Sequence, residues 1–190
     1  MKHIVAPLLA CCVLALSSCG SLLSSLHVGT IDDHPGERTV AQIIEDDNIE
    51  TKITVNIHAE NDAYHNAHLV VVSYNGYVLL AGQVIDKALK SGATAVARKV
   101  QGVRRIYNEL EIGPPTSAMT RISDTWITTR IKSILLSSRD IPGTQVKVVT
   151  ENGVVYLMGL VTREMAERIS DKAASISGVK RVVRLFELRD

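Results

Sequence analysis

Three groups of side chains in this 190-residue chain have types and spacing that could do chemistry. His58, His65 and His68 stand close together, and histidine is a metal ligand and a proton carrier near neutral pH. No cysteine and no tight His-x-His pair accompanies them and the segment reads as loop, so solvated histidines are expected rather than a metal site. Gly-x-Ser-x-Gly, His-Glu-x-x-His and the phosphate-binding glycine loop are all missing, so neither an enzyme nor a cofactor is implied. A second group, Cys11, Cys12 and Cys19, lies in or just after an apolar N-terminal run. The third is Trp126, Thr129, Arg130, Lys132, Ser133 and Leu136, where the only tryptophan stands beside two cations. Its chemistry is non-covalent: an amphipathic ring suits a water–lipid boundary, and cations suit an anionic surface.

These residues are positioned by a duplication. Residues 46–113 and 123–190 follow one order: an amphipathic stretch, two apolar runs around Asn-Gly, a second amphipathic stretch, Gly-Val, and a last apolar run. The turns Asn75-Gly76 and Asn152-Gly153 lie between alternating apolar residues, the strongest short-range signal for a β-hairpin. The second helices are expected to start near Asp86 and Thr162 and to end before Gly102 and Gly178. The last strands are expected over residues 104–110 and 180–188. The fold class is therefore α+β, two tandem αββαβ units, each a three-stranded mixed sheet covered by two helices. Units of about 68 residues are near the lower limit for a self-sufficient core, so the repeats are expected to pack together. Net charge is +1, which argues against nucleic acid as a partner.

The ends and joints are set by composition. Lys2 and His3 precede an apolar run, Ile4 to Leu16, too short to span a membrane and followed by small residues. Residues 1–18 read as a signal peptide. Leu16-Ser17-Ser18-Cys19 resembles the lipobox of bacterial lipoproteins, which implies that Cys19 becomes the acylated N-terminus, and Gly20 after it resembles lipoproteins sent to the outer membrane. Residues 19–45 read as a flexible tether, and residues 114–122, opening Pro114-Pro115, as a stiff linker.

The repeated Asn-Gly hairpin, Gly82 and Gly159, and the steps Gly102-Val103 and Gly178-Val179 resemble the BON domain. A tandem pair behind a lipobox is similar to the dual-BON outer-membrane lipoproteins. The likeness covers nearly the whole chain after Cys19, although Ala41 stands where those proteins commonly have Gly. It implies a lipid anchor in the inner leaflet of the outer membrane and a periplasmic location. It also implies a role in membrane integrity, enrichment at the division site, and a link to the outer-membrane protein assembly machinery.

The copies differ most on their first helices. At 100° per residue Ile127, Ile131, Ile134 and Leu135 share a core face, matched by Ile49, Ile53, Asn56 and Ile57. Trp126, Thr129, Arg130, Ser133 and Ser137 fall on the other side, with Leu136 at its edge and Lys132 near. Residues 45–60 hold Glu45, Asp46, Asp47, Glu50 and Glu60 against Lys52; residues 121–139 hold Arg121, Arg130, Lys132 and Arg139 against Asp124. A cationic helix with an outward Trp and Leu is the pattern of an interfacial membrane helix. Anionic phospholipid of the phosphatidylglycerol type is the expected ligand, and the resemblance implies the same helix. The alternatives are that Trp126 fills the groove between the domains, that the cationic face docks an acidic protein, or that the chain is a spacer.

Overall fold

A computed structural model describes residues 37–189. The signal peptide, Cys19 and the first part of the tether lie outside the described residues. Repeat 1 runs α1 (Val40–Glu60), β1 (His68–Tyr74), β2 (Tyr77–Val84), α2 (Lys87–Arg98), β3 (Arg105–Asn108) and β4 (Glu111–Ile112). Repeat 2 runs α3 (Ala118–Ser137), β5 (Lys147–Glu151), β6 (Val154–Met158), β7 (Leu160–Val161), α4 (Arg163–Ala174), β8 (Arg181–Arg184) and β9 (Glu187–Leu188). In each repeat the hairpin is antiparallel and the last strand adds parallel to its second strand, giving the expected mixed sheet. Asp86 and Thr162 are the N-caps of α2 and α4, each accepting a backbone N–H with its side chain.

The two turns are near copies. Asn75 and Asn152 both have φ of 52°, followed by Gly76 at 74° and Gly153 at 75°. Left-handed values at both positions make the type I′ turn, whose twist matches that of the flanking strands. The last strands depart from the expectation. Each is broken after four residues; the second piece pairs parallel, β4 further along β2 and β9 with the separate short strand β7. Leu110 and Leu185, at the breaks, are buried.

The tether and linker end sooner than composition suggests. Thr39 and Gln42 form a capping box, so α1 starts at Val40 rather than near residue 46. Ser117 accepts from Thr120 N–H at 3.1 Å and starts α3 five residues inside the expected linker. The added turns show no core periodicity because they have no core to face: Val40, Ile43, Ile44, Met119 and Ile122 are all exposed.

Each helix pair covers one face of its sheet. Ile49, Ile53 and Ile57 of α1 meet Val78, Leu80, Ala93 and Val96. Ile127, Ile131 and Leu135 of α3 meet Val155, Leu157, Ile169 and Ala173. Of the expected core face, Ile134 is only partly buried and Asn56 is exposed. The opposite faces of the sheets close against each other, with Val72, Tyr74, Leu79, Ala81, Val154, Tyr156, Met158 and Leu185 in a third core. Burial there pushes the Tyr156 hydroxyl up to about 12. Polar bridges ring this core: Arg104 and Asn75 bind Glu187 at 2.7 Å, and Tyr74 donates to the Gln145 carbonyl at 2.8 Å. Pro35–Asp190 is one compact unit, and all three cores close within it, so the packing that holds the fold needs no residue before Pro35.

One buried acid per repeat ties helix to hairpin. Asp46 of α1 accepts the N–H of Asn75 at 2.8 Å and of Gly76 at 2.9 Å; Asp124 of α3 accepts those of Asn152 and Gly153, both at 2.8 Å. Sequence reading counts both as surface charges, whereas they are 2% and 5% exposed. Burial opposes ionisation of Asp46, but bonds from Gly76 N–H, the Ser73 hydroxyl, Arg38 and Asn75 N–H outweigh it and hold the carboxyl below its ordinary value. A depressed folded value stabilises the fold above the ordinary carboxylate range, and that stability is lost as pH falls through the folded value. Urea midpoints should therefore begin to drop below about pH 5 and keep dropping as pH falls through and below the ordinary carboxylate range. Asp46→Asn should lower stability by about 2–3 kcal/mol at neutral pH and flatten that dependence.

Candidate functional site

The site is built on α3. Its inner face is fixed by Asp124, Ile127, Ile131 and Leu135, all buried. With that face pinned, helical geometry decides what points outward. Trp126 is 55% exposed and Leu136 61%, and both stand clear of the third core, whose aromatic members are Tyr74 and Tyr156. Trp126 therefore does not fill the groove between the repeats. Thr129, Arg130, Lys132 and Ser133 are exposed beside it.

Two members of this surface escape sequence reading. Met119 and Ile122 are exposed and precede Trp126 at helical spacing, so the three form one stripe continued by Ser133 and Leu136. The spacing 119, 122, 126 was a legible signal, but residues 114–122 read as linker because of Pro114-Pro115. On the helical wheel Arg130 lies on one flank of the stripe and Lys132 on the other.

The polar residues along the stripe are less hydrophilic than their names suggest. The hydroxyls of Thr125, Thr129 and Ser133 each donate to the carbonyl one turn back, at 2.9, 2.8 and 2.9 Å. Their donors are satisfied within the helix, so the face can approach an apolar phase without stranding a hydroxyl proton. Among the described residues no helix is long and apolar enough to cross a membrane. The stripe is suited to lying on a surface.

The same face of α1 has another character. Val40, Ile44 and Val55 are exposed there, but Glu45, Asp47, Glu50 and Glu60 surround them and no aromatic is present. With Asp124 buried and bonded, the exposed charges of α3 are Arg121, Arg130 and Lys132, all positive; Asp46 is buried likewise in α1, so the contrast between the helices stays as large as composition shows. The three histidines do not converge. His58 and His65 meet as a tilted pair with ring centroids 5.1 Å apart, while His68 turns to Glu151 of repeat 2 at 3.1 Å.

Comparison with known proteins adds the family context. The profile described as BON domain matches residues 45–114 and 123–190. The Haemophilus influenzae protein called outer membrane lipoprotein DolP is 39% identical over 153 residues, 80% of this chain and 79% of that one. The 21 kDa hemolysin of Actinobacillus pleuropneumoniae is 34% identical over 149 residues, 78% and 77% of the two chains. Osmotically-inducible protein Y of Escherichia coli is 27% identical over 184 residues, 92% and 91%.

Because Trp126 is the only tryptophan, its fluorescence reports on this face alone. The free protein should show the red-shifted emission of a wet indole and efficient quenching by iodide. Blue, quencher-resistant emission would place the ring in a protein interior instead.

Proposed function

The chain belongs to the BON-domain family, with two copies in tandem, and on that footing we propose that it is an outer-membrane lipoprotein that reads anionic phospholipid with α3. Cys19 carries the acyl chains, the segment up to Thr39 gives reach, and the two domains face the periplasm. The lipidation motif Leu16-Ser17-Ser18-Cys19 and the relative named as an outer membrane lipoprotein support the anchoring. The observation that carries the lipid reading is the exposed stripe of Met119, Ile122, Trp126 and Leu136 between Arg130 and Lys132. Its role is to maintain outer-membrane integrity at the division site, in contact with the outer-membrane protein assembly machinery.

Magnitudes suit a selector rather than an anchor. Each cation near an anionic surface contributes roughly 1 kcal/mol, so the cations of α3 alone hold a free protein weakly. Acyl chains already keep the domain at the membrane, where a weak preference acts at high effective concentration. The helix then chooses which lipid the tethered domain rests on.

The unit Pro35–Asp190 should sediment with phosphatidylglycerol vesicles, release them in high salt, and ignore phosphatidylcholine. Arg130→Glu changes the charge by two and should weaken partition by about 30-fold, since roughly 2 kcal/mol is lost. Trp126→Ala should weaken it and leave the thermal midpoint unchanged. Intact binding in both variants would move the reading to a protein-docking face.

A further inference from the structure

The two repeats treat one furrow differently. In repeat 1 the space between α1 and the free edge of β1 is filled from within the chain. Glu50 reaches across it and accepts the Ser73 N–H at 2.8 Å, with Lys147 of repeat 2 at 3.5 Å from the same carboxylate. Arg38 lies there too, 4.1 Å over the Tyr74 ring and 2.7 Å from Asp46. Superposing Asp46 on Asp124 and the two Asn-Gly turns carries Glu50 to Thr128, Arg38 to Thr116, and Ser73 to Thr150.

Repeat 2 therefore lacks both internal occupants. The Thr128 hydroxyl reaches only the Thr150 hydroxyl, 2.8 Å away, and Thr116 turns aside to Gln83 and Glu151. An open furrow of about 390 Å³ remains between α3 and β5. In the two-residue hairpin Thr150 pairs with Val155, as Ser73 pairs with Val78, so its N–H points away from β6 into the furrow as that of Ser73 points to Glu50. The two acids on the wall are already engaged: Asp124 accepts both turn N–H groups, and Glu151 accepts from His68, Gln83 and Thr116. The free groups are donors. Lys132 makes no ion pair among the described residues, and Arg121 gives one bond to the Thr116 carbonyl at 3.0 Å.

We propose that this furrow seats the phosphodiester of a lipid headgroup, whose oxygens take the place that the Glu50 carboxylate holds in repeat 1. The Thr150 N–H and hydroxyl donate to it, and Lys132 and Arg121 neutralise it. Lipid is favoured as the source because the furrow opens beside the apolar stripe: Thr125 and Thr129 line it and lie between it and Trp126 on the helical wheel. A headgroup in the furrow leaves its acyl chains to run along Met119, Ile122 and Leu136. The inference rests on the membrane reading of α3 and names the part of that surface that distinguishes one headgroup from another.

The test uses Thr128→Gln in the unit Pro35–Asp190, which restores the length of Glu50 without changing net charge. Its amide oxygen should occupy the Thr150 N–H, so the fold should be as stable as the parent or more so. With the parent protein, sn-glycerol 3-phosphate should shift the Thr129 and Thr150 amide signals in NMR. Thr128→Gln should abolish those shifts and weaken phosphatidylglycerol vesicle binding about tenfold, the size of one hydrogen bond to a charged group. Lys132→Gln, at an exposed position, should do the same, whereas Trp126→Ala should weaken vesicle binding and leave the glycerol phosphate shifts intact. Parent-like vesicle binding by Thr128→Gln would overturn the furrow and leave the membrane reading standing. Shifts with inorganic phosphate but no vesicle binding by the parent would overturn the lipid source and the membrane reading together. Stronger shifts with a glutamate-rich peptide than with glycerol phosphate would assign the furrow to a protein carboxylate instead.

Discussion

A buried carboxylate joins each first helix to the turn beside it, and the rest of each domain is arranged around that joint. Asp46 and Asp124 each accept two backbone N–H groups from an Asn-Gly turn, groups that no strand partner can reach. A carboxylate accepting charge-assisted bonds in a dry site is costly to leave unpaired, so the turn cannot move without the helix. Fixing helix to hairpin sets the face that α1 or α3 presents to its sheet. The isoleucines one and two turns onward then fall on the core. The rotation of α3, and with it the outward direction of Trp126, follows from a bond on the opposite side of the helix.

The second constraint is the sheet face the helices do not cover. A three-stranded sheet of this size with one bare apolar face would not be stable in water. Here each sheet covers the other, and Tyr74 and Tyr156 supply the bulk of the shared core. The domains thus form one body, and both broad apolar faces are closed within it. What remains for an outside partner are helix surfaces and furrows at their edges.

Duplication then separates what folding needs from what it does not. The turn-holding aspartates, the Asn-Gly pairs and the helix caps recur in both copies. Glu50 does not recur, and neither does the acidic rim of α1. Repeat 1 satisfies its own edge strand with its own side chain, while repeat 2 keeps the corresponding donor beside an open furrow whose lining includes Arg121 and Lys132.

The repeat order, the hairpin turns, the N-caps Asp86 and Thr162, and the core isoleucines were legible in the sequence because each rests on local rules: turn dihedrals, capping, and a 3.6-residue period. The outward position of Trp126 was legible for the same reason. Tertiary structure alone decided the rest. Asp46 and Asp124 look like surface charges until the turns that bond them are in place. The sheet-to-sheet core and the open furrow at Thr128 arise between segments distant in the chain. Periodicity reports which face a residue occupies; which segment meets that face depends on how the two repeats close on each other.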